Sequence, residues 1–210
     1  AIDPQAYVRS RNFYDGKVTR LSPYIRHGVL SLAEVRDKAH ALTDKPEHIE
    51  KFFQELGWRD FWQRLLDERP DIAWKNIEEY KTGFTHEDYE DALPKDIARG
   101  ETGVAAIDHF IQDLLRDGYM HNHTRMYVAS YVVHWRRITW QTGARWFLSH
   151  LLDGDLASNN LSWQWVASTF SNKPYIFNLE NVAKYCGKQV DCTPERIAPL
   201  NASYDELNKR

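Results

Sequence analysis

The chain has 210 residues, a formal net charge of −3, eight tryptophans and two cysteines. This length suffices for one substantial core but not for two full-sized domains, so we predict a single domain over residues 1–210 with its core at about 7–178. No run of about eighteen apolar residues and no charged-then-apolar leader occurs, which argues against a membrane span or a secretory signal and favours a soluble, cytoplasmic protein. Cys186 and Cys192 lack the further ligands of a zinc site and are expected to be two reduced thiols.

Capping signals and apolar spacing predict an all-α chain. Ser31 and Glu34 form a capping box for a helix that runs to about Leu42. The run Asp44-Lys45-Pro46-Glu47 begins a second helix, which we expect to end near Glu68. Pro70, the polar stretch 78–95 and Pro94 then predict the least regular part of the chain.

The second half of the chain is also predicted to be helical. Thr102 is placed to cap an amphipathic helix that Gly118 ends. Further helices are predicted from about His123 to Ile138, from just after Gly143 to Leu152, and from Leu156 to about Thr169. No alternating strand pattern or Asn-Gly hairpin signal occurs.

The most informative segment is Asp153-Gly154-Asp155-Leu156-Ala157-Ser158-Asn159-Asn160-Leu161-Ser162-Trp163-Gln164-Trp165. In a helix, Asp155, Asn159 and Trp163 stand at i, i+4 and i+8, so one face carries a carboxylate, an amide and an indole. This mixture suits a flat, redox-active ligand with many hydrogen-bonding groups. The plainer interpretation is a helix capped by Asp155 with two tryptophans in the core.

This segment closely resembles the flavin-domain signature of the DNA photolyase and cryptochrome family. Three further segments resemble that family in the same chain order: Val18-Thr19-Arg20-Leu21-Ser22-Pro23-Tyr24, Glu55-Leu56-Gly57-Trp58-Arg59-Asp60-Phe61 and Met120-His121-Asn122-His123-Thr124-Arg125-Met126. The resemblance covers roughly residues 7–178. It implies a multi-helix, photolyase-type domain that binds FAD.

The first of these segments resembles the family's loop for the flavin diphosphate. Hydroxyls, backbone N–H groups and an arginine are suited to hold a pyrophosphate. Val18 replaces a usual threonine, which removes one hydroxyl. Without the resemblance, the loop reads as a plain turn. The resemblance implies that the diphosphate contacts are made by Thr19, Arg20, Leu21 and Ser22, assisted by Tyr7.

On the second predicted helix, Glu55, Trp58, Arg59 and Trp62 fall at i, i+3, i+4 and i+7 and therefore share one side. A surface Glu–Arg pair is the plainer interpretation, and such pairs contribute only about 0–1 kcal/mol. The resemblance implies that Glu55 hydrogen-bonds a pyrimidine dimer, Trp58 flanks it, and Arg59 lies at the edge between flavin and DNA. Phe52 stands at a flavin-contacting position where the family usually has a tryptophan.

Asn122, Arg125 and Met126 share one face at the start of the central helix. The resemblance places Asn122 and Met126 at the lesion and pairs Arg125 with Asp153 under the flavin ring. Trp165 is expected to line the lesion pocket with Trp58 and Met126. The pair His121 and His123 invites a metal or nuclease interpretation, but neighbouring acids and a third ligand are missing, so we expect no metal site.

Three residues are expected to govern the flavin's redox chemistry. Asn159 matches the family residue at the flavin N5 edge, where an amide favours the reduced forms and repair. Trp163 and Trp140 resemble the first two members of the family's electron-transfer chain. The third member has no clear counterpart, and the candidates are Trp74, Tyr80, Tyr89 and Trp135.

Three functions remain open at this point. The first is light-driven transfer of an electron from reduced flavin to cyclobutane pyrimidine dimers in DNA, which makes the chain a photolyase-like enzyme. The second is a cryptochrome-like photoreceptor, and the third is a flavin-binding relative without either role. The negative net charge argues against DNA binding, and a C-terminal segment lacks the arginine that is usual there. The sequence therefore supports flavin binding better than DNA binding. The candidates for a basic patch are Arg136, Arg137, Arg145, Lys173, Lys184 and Lys188, and the plainer interpretation of these residues is an ordinary solvated helix face.

The chain also lacks the N-terminal antenna domain that photolyases carry. It begins at Ala1, so it is either a piece of a longer protein or a naturally short relative. The sequence leaves open a separate antenna-bearing or signalling partner, the preferred DNA form and the oligomeric state.

Overall fold

The structure is a computed structural model that describes residues 2–43 and 45–207. Within these residues the fold is all-α, as predicted, and the one β-type pairing is an isolated bridge between Glu90 and Ile138. The α-helices in chain order are α1 (Pro4–Ser10), α2 (Ser22–Arg26), α3 (Leu32–His40), α4 (Glu50–Glu68), α5 (Lys95–Arg99), α6 (Ala105–Asp117), α7 (Asn122–Ser130), α8 (Trp140–His150), α9 (Leu156–Ala167), α10 (Leu179–Cys186) and α11 (Tyr204–Leu207).

Shorter helical segments connect these elements. A π-helical turn, Tyr131–Trp135, follows α7 directly. The 3₁₀ segments are Pro46–His48, Pro70–Ala73, His86–Asp88 and the kinked Pro194–Leu200. None of the helices described is long and apolar enough to cross a membrane.

The core has two parts. The larger cluster is built mainly from α6, α7, α8 and α9 and contains the fully buried rings of Phe110, Tyr127 and Trp140. A smaller cluster under α1, α3 and α4 contains Val35 and Phe52. Burial of these apolar side chains is the main stabilising contribution, because removing apolar surface from water is favourable. The two clusters leave a cavity between them, and its walls are described below.

Several predicted helix boundaries are confirmed. Ser31 and Glu34 make the reciprocal capping-box hydrogen bonds, and α3 ends at His40, close to the predicted end. Gly118 adopts a left-handed conformation (φ 60°) and ends α6. Helix α9 ends at Ala167, close to the predicted end at Thr169, with Ser168 in a left-handed conformation.

Other boundaries were predicted wrongly. The second helix begins at Glu50, after the separate 3₁₀ turn Pro46–His48, and the predicted cap at Asp44 lies outside the described residues. The central helix changes to π-helical hydrogen bonding at Tyr131 and ends before Arg137, whose φ of 50° is incompatible with a continuing α-helix. The next helix begins at Trp140 and therefore contains Gly143.

Thr102 is not the N-cap of α6. That position is held by Val104, which has no capping side chain. Instead the carboxylate of Asp108 accepts hydrogen bonds from the backbone N–H groups of Thr102 and Gly103, at 2.7 and 3.0 Å. An acid within the first turn therefore takes the place of a capping hydroxyl before the helix and holds the preceding backbone.

Candidate cofactor site

A cavity of about 700 Å³ lies between the two core clusters. Its walls come from α1, the segment before α2, and helices α4, α7 and α9. Trp140 is the one predicted site residue outside this lining. The others, which all line the cavity, are Tyr7, Thr19, Arg20, Leu21, Ser22, Phe52, Glu55, Trp58, Arg59, Asn122, Arg125, Met126, Asp153, Asp155, Asn159, Trp163 and Trp165.

Asp155 connects the start of α9 to α4. Its carboxylate accepts the backbone N–H of Ser158 at 2.9 Å, as an N-cap should, and also the side-chain amide of Gln63 at 3.1 Å. The guanidinium of Arg59 lies 3.9 Å from the same carboxylate. Burial by itself raises the pKa of Asp155, but hydrogen bonding from Ser158 and the charge of Arg59 outweigh it, so the pKa lies below its usual value. Asp155 is thus both the helix cap and an ionised group on the cavity wall.

Asp153 is buried and forms the ion pair that the resemblance implies. Its Oδ2 atom accepts from Arg125 at 2.8 Å and from the Ser22 hydroxyl at 2.6 Å. Its Oδ1 atom is buried and has no hydrogen-bond partner among the described residues. An unsatisfied carboxylate oxygen is costly, so a ligand N–H or O–H delivered by the cavity would stabilise it. Ser22, expected at the diphosphate, uses its hydroxyl hydrogen to anchor this acid.

Asn159 has a defined hydrogen-bonding arrangement. Its Nδ2 atom donates to the backbone carbonyl of Ala144 at 3.1 Å and to Oδ1 of Asn160 at 2.9 Å. Both amide hydrogens are therefore used within the protein, which leaves the Oδ1 atom of Asn159 as the group available to a ligand. A hydrogen-bond acceptor at this place suits a ligand that presents an N–H.

The predicted phosphate loop carries backbone strain. Arg20 has a φ of 52°, a left-handed conformation that a residue with a Cβ atom rarely adopts. Its guanidinium lies over the ring of Tyr119, 5.1 Å from the centroid, and Arg125 lies 5.4 Å from the same ring. Strain of this kind is concentrated at functional sites, where the surrounding structure maintains it. Tyr119 thus holds two cations at the cavity.

Glu55 forms its ion pairs with residues other than Arg59, the partner in the plainer interpretation. Its carboxylate lies 2.9 Å from Lys51 and 3.7 Å from Arg11. Its side chain is about one third exposed (35%), so these pairs are screened and contribute little stability. The carboxylate remains accessible from the cavity.

Large aromatic side chains stand at the mouth of the cavity. Trp58 is 50% exposed and Trp165 is 41% exposed, which is unusual for the largest apolar side chain. Met126 also lines the cavity and is partly buried. Two further lining residues, Tyr7 and the buried Phe52, meet edge to face at 5.1 Å. The cavity wall therefore combines polar groups of α9 with several large aromatic rings.

Three indoles, those of Trp163, Trp140 and Trp74, lie beside or on helix α8. The Trp163 ring lies so close to Gly143 that a Cβ atom there would be 2.3 Å from it. Trp140, one turn earlier on α8, is fully buried and donates its indole N–H to Asn76 at 2.7 Å. Trp74 lies parallel to it, with an interplanar angle of 2° and centroids 6.4 Å apart, and is partly exposed.

The other candidates for the outer member lie in different surroundings. Trp135 packs against Phe177 at 5.1 Å and donates to the carbonyl of Pro199. Tyr80 and Tyr89 stack on each other at 4.4 Å and are buried. Of the candidates, Trp74 is the one whose ring stacks on Trp140 in the described part of the chain.

The structure also shows lining residues that the sequence did not single out for this role. Trp62 was predicted to share a helix side with Glu55, but the sequence assigned it no role. Tyr119 directly precedes the segment 120–126, which carried the resemblance. Further polar and aromatic lining residues lie outside the four segments that carried the resemblance: Arg11, Asn12, Lys51 and Phe147.

The candidates for a basic patch are largely engaged in local interactions. Arg136 is paired with Asp96 at 2.7 Å, Arg137 lies over the Phe84 ring, and Arg145 lies over the Trp74 ring at 4.5 Å. Cys186 and Cys192 are free thiols. No group of three His, Cys, Asp or Glu residues suited to a metal ion occurs among the residues that the structure describes.

The residues present fit a flavin dinucleotide. The cavity volume is in the range of cofactor-binding sites. The lining offers a cationic and hydroxyl-bearing loop for a diphosphate, together with acceptor atoms on Asp153 and Asn159 and the Trp163 indole. The fold and the cavity thus define a helical domain for a large, flat and anionic cofactor.

The chain belongs to the family described as the FAD binding domain of DNA photolyase, whose model matches residues 52–195. It is 36% identical to the deoxyribodipyrimidine photo-lyase of Streptomyces griseus over 72% of this chain and 32% of the relative. It is 35% identical to that of Vibrio cholerae over 83% of this chain and 39% of the relative. FAD is therefore its cofactor, as predicted.

Solved structures agree with this assignment. A bacterial class III photolyase from Agrobacterium tumefaciens superposes with a TM-score of 0.76 at 30% identity, over 93% of this chain and 41% of that one. A cryptochrome from Synechocystis superposes with a TM-score of 0.79 over 99% of this chain and 47% of that one; at 21% identity it shows the fold alone. The chain thus spans less than half the length of the relatives and structures it matches.

Proposed function

We propose that this domain uses light to split cyclobutane pyrimidine dimers in DNA. The supporting observation is that the residues expected at the lesion and those expected at the flavin line one cavity. The lesion residues expected there are Glu55, Trp58, Asn122, Met126 and Trp165. A flipped dimer and a bound cofactor would then share a site from which water is excluded.

When bound and reduced, FAD supplies the photoexcited electron that opens the cyclobutane ring and recovers it afterwards. Arg20 and Thr19 would hold the diphosphate, and Arg59, with its partner Asp155, would lie at the edge between flavin and DNA. The Oδ1 atom of Asn159 would accept the N5 hydrogen, which favours the reduced forms.

The protein's contribution on the substrate side is orientation. The Glu55 carboxylate would accept a hydrogen bond from the base edges of the dimer, and the Asn122 amide would donate one. Trp58 and Trp165 would stack against the two exposed sides of the flipped bases, which offsets the few kcal/mol lost on unstacking.

A direct test is dimer splitting by the purified chain reconstituted with FAD. Under reducing conditions and blue light, ultraviolet-damaged oligonucleotides should regain intact thymines. Glu55→Gln should lower the splitting rate at limiting DNA by about tenfold, because the charge-assisted hydrogen bond to the bases is weakened. Glu68→Gln, at the exposed end of the same helix, is the control and should retain the wild-type rate.

Two other results would contradict the proposal. A flavin-loaded protein that splits no dimers but changes its oligomeric state or partner binding under light would be a signalling photoreceptor. A flavin-loaded protein with neither response would be a relative that has lost both roles.

A further inference from the structure

Four aromatic rings form one continuous surface beside the cavity mouth, which we call the aromatic platform: Trp58, Phe61, Trp62 and Phe170. Trp58 and Trp62 are stacked with centroids 5.2 Å apart, and Phe61 contacts both at 5.7 and 5.1 Å. Phe170 meets Trp62 edge to face at 5.6 Å. Neither Phe61 nor Phe170 lines the cavity, so the platform extends outward beyond the proposed lesion pocket.

The platform is exposed in a way that packing does not explain. Trp58 is 50% exposed and Phe61 is 46% exposed. Three rings of the platform lie on α4 at i, i+3 and i+4, the spacing of neighbours on one helix surface. Contiguous exposed aromatic surface on a protein commonly marks a binding site.

The platform is also fixed before any ligand arrives. The backbone N–H of Phe170 donates to the carbonyl of Gln164 at 3.2 Å, and the buried amide of Gln164 is itself bonded to the carbonyl of Ile72 at 2.8 Å. On the other side, Gln63 connects α4 to Asp155. Rings held in place in this way lose little entropy when a flat ligand stacks on them.

The charges around the platform point to the faces of bases as the recognised groups. The cations interleaved with its rings on α4 are paired: Arg64 lies 2.8 Å from Asp60, and Arg59 lies 3.9 Å from Asp155. Phosphate attraction is therefore weak at this surface, whereas base stacking on aromatic rings needs no net charge. In a duplex, neighbouring base pairs already cover the faces of each base, so only unpaired bases offer them.

We propose that the aromatic platform stacks on unpaired bases adjacent to the dimer, so that single-stranded DNA is the preferred substrate. The proposal rests on the proposed function for the lesion itself. The platform is continuous with that site, because Trp58 and Trp62 belong both to it and to the cavity lining. Dimer splitting and base stacking by the platform are therefore tested by different measurements.

The test measures binding in the dark by fluorescence anisotropy, with the FAD-loaded chain and short labelled DNA strands that carry a central thymine dimer. One strand has adenines on both sides of the dimer, a second has abasic sites there, and a third probe is the adenine strand in a duplex. The wild-type protein should bind the adenine strand about 5- to 30-fold more tightly than the abasic strand, with a shallow salt dependence. It should bind the duplex more weakly than the adenine strand.

Variants of Phe61 separate stacking from folding. Phe61→Leu keeps an apolar side chain without a ring and should lose most of the preference for adenine over abasic flanks, whereas Phe61→Tyr should retain it. Tyr204→Ala, which removes an exposed ring on α11, is the matched control and should also retain it.

Three outcomes would overturn the proposal: equal binding of adenine and abasic strands, duplex binding as tight as strand binding, or a dimer of this chain that Phe61→Leu dissociates. Light-driven splitting is measured separately on the same strands. A preference for adenine over abasic flanks without dimer splitting would contradict the proposed function and support base stacking on the aromatic platform. Splitting without a preference for adenine flanks would contradict the proposed role of the aromatic platform but not the proposed function.

Discussion

Trp74 occupies the outer end of a row of indoles that begins at the cavity. It is partly exposed and parallel to the fully buried Trp140, whereas the alternative Trp135 packs around Phe177. Arg145 lies 4.5 Å from the centroid of the Trp74 ring. This guanidinium disfavours a positive charge on the Trp74 ring, so loss of an electron from Trp74 has to be accompanied by loss of the indole proton to water. The partial exposure of Trp74, which permits that proton loss, and its stacking on Trp140 make it the residue we expect to supply the outer electron.

Trp74→Phe should slow light-driven reduction of oxidised FAD by about tenfold or more, equivalent to at least about 1.4 kcal/mol in the activation barrier, because a benzene ring is far harder to oxidise than an indole. The absorbance of the flavin during blue illumination with an external reductant measures this rate.

Trp135→Phe is the matched control, since it replaces another indole by a smaller ring away from the row. It should reduce FAD at the wild-type rate. Equal slowing in both variants, or slowing in Trp135→Phe alone, would show that Trp74 is not the outer donor.

At the scale of elements, the packing of α8 against α9 determines one wall of the site. Trp163 on α9 reaches the backbone of α8 because residue 143 has no side chain. Asn159, one turn earlier on α9, donates to the carbonyl of Ala144 in the same part of α8. Both contacts bring the helices close together and hold the cavity face of α9 in place.

Gly143→Ala should destabilise the protein by about 1–3 kcal/mol, because the new Cβ atom must displace the Trp163 ring from a packed core. FAD binding should weaken as the ring is pushed toward the cavity. Urea unfolding and FAD titration measure the two effects.

Gly57→Ala in α4 provides the matched control. No atom lies within 4 Å of a Cβ atom at that position, so the substitution should stabilise the helix by about 0.5–1 kcal/mol. If Gly143→Ala were as stable as wild type and bound FAD equally well, close packing of α8 on α9 would not be what shapes this wall.

The elements also show which features of the site could be predicted from the sequence. Asp155, Asn159 and Trp163 were predicted to share one face from helical spacing, and they line one cavity, because spacing within a helix is local information. The pairing of Ser22 with Asp153, 131 residues apart, and the tie from Gln63 to Asp155 depend on tertiary packing and have no local signal. The same holds for Gly143, whose position suggested a helix start although packing against Trp163 explains it better.

For the molecule as a whole, two buried histidines link stability to pH. Burial, with the charges of His123 and Arg125, lowers the pKa of His121 to about 4. Burial also lowers the pKa of His134, within the π-helical turn, to about 4, although its ring bonds the carbonyl of Val166. Both rings are therefore neutral in the folded protein at pH values where they are protonated in the unfolded chain.

The sign of the effect follows from proton binding. Between the unfolded value of 6.5 and the folded value of about 4, the unfolded chain binds more protons, so stability falls as the pH decreases. We expect the free energy of unfolding to be nearly constant above about pH 7 and to drop by about 5 kcal/mol on acidification to about pH 4.5, with about half from each histidine. Below about pH 4, protonation of Asp155, whose pKa is lowered, removes a further contribution.

Urea unfolding at several pH values measures this dependence. His134→Gln should roughly halve the slope of the profile between pH 6.5 and 4, because the amide still donates to the carbonyl of Val166 but does not titrate, whereas His121 still does. His86→Gln, at an exposed position, should leave the slope unchanged. A wild-type profile that is flat over this range would show that these imidazoles become protonated without unfolding the core, and the neutral, buried state assigned to them would then be wrong.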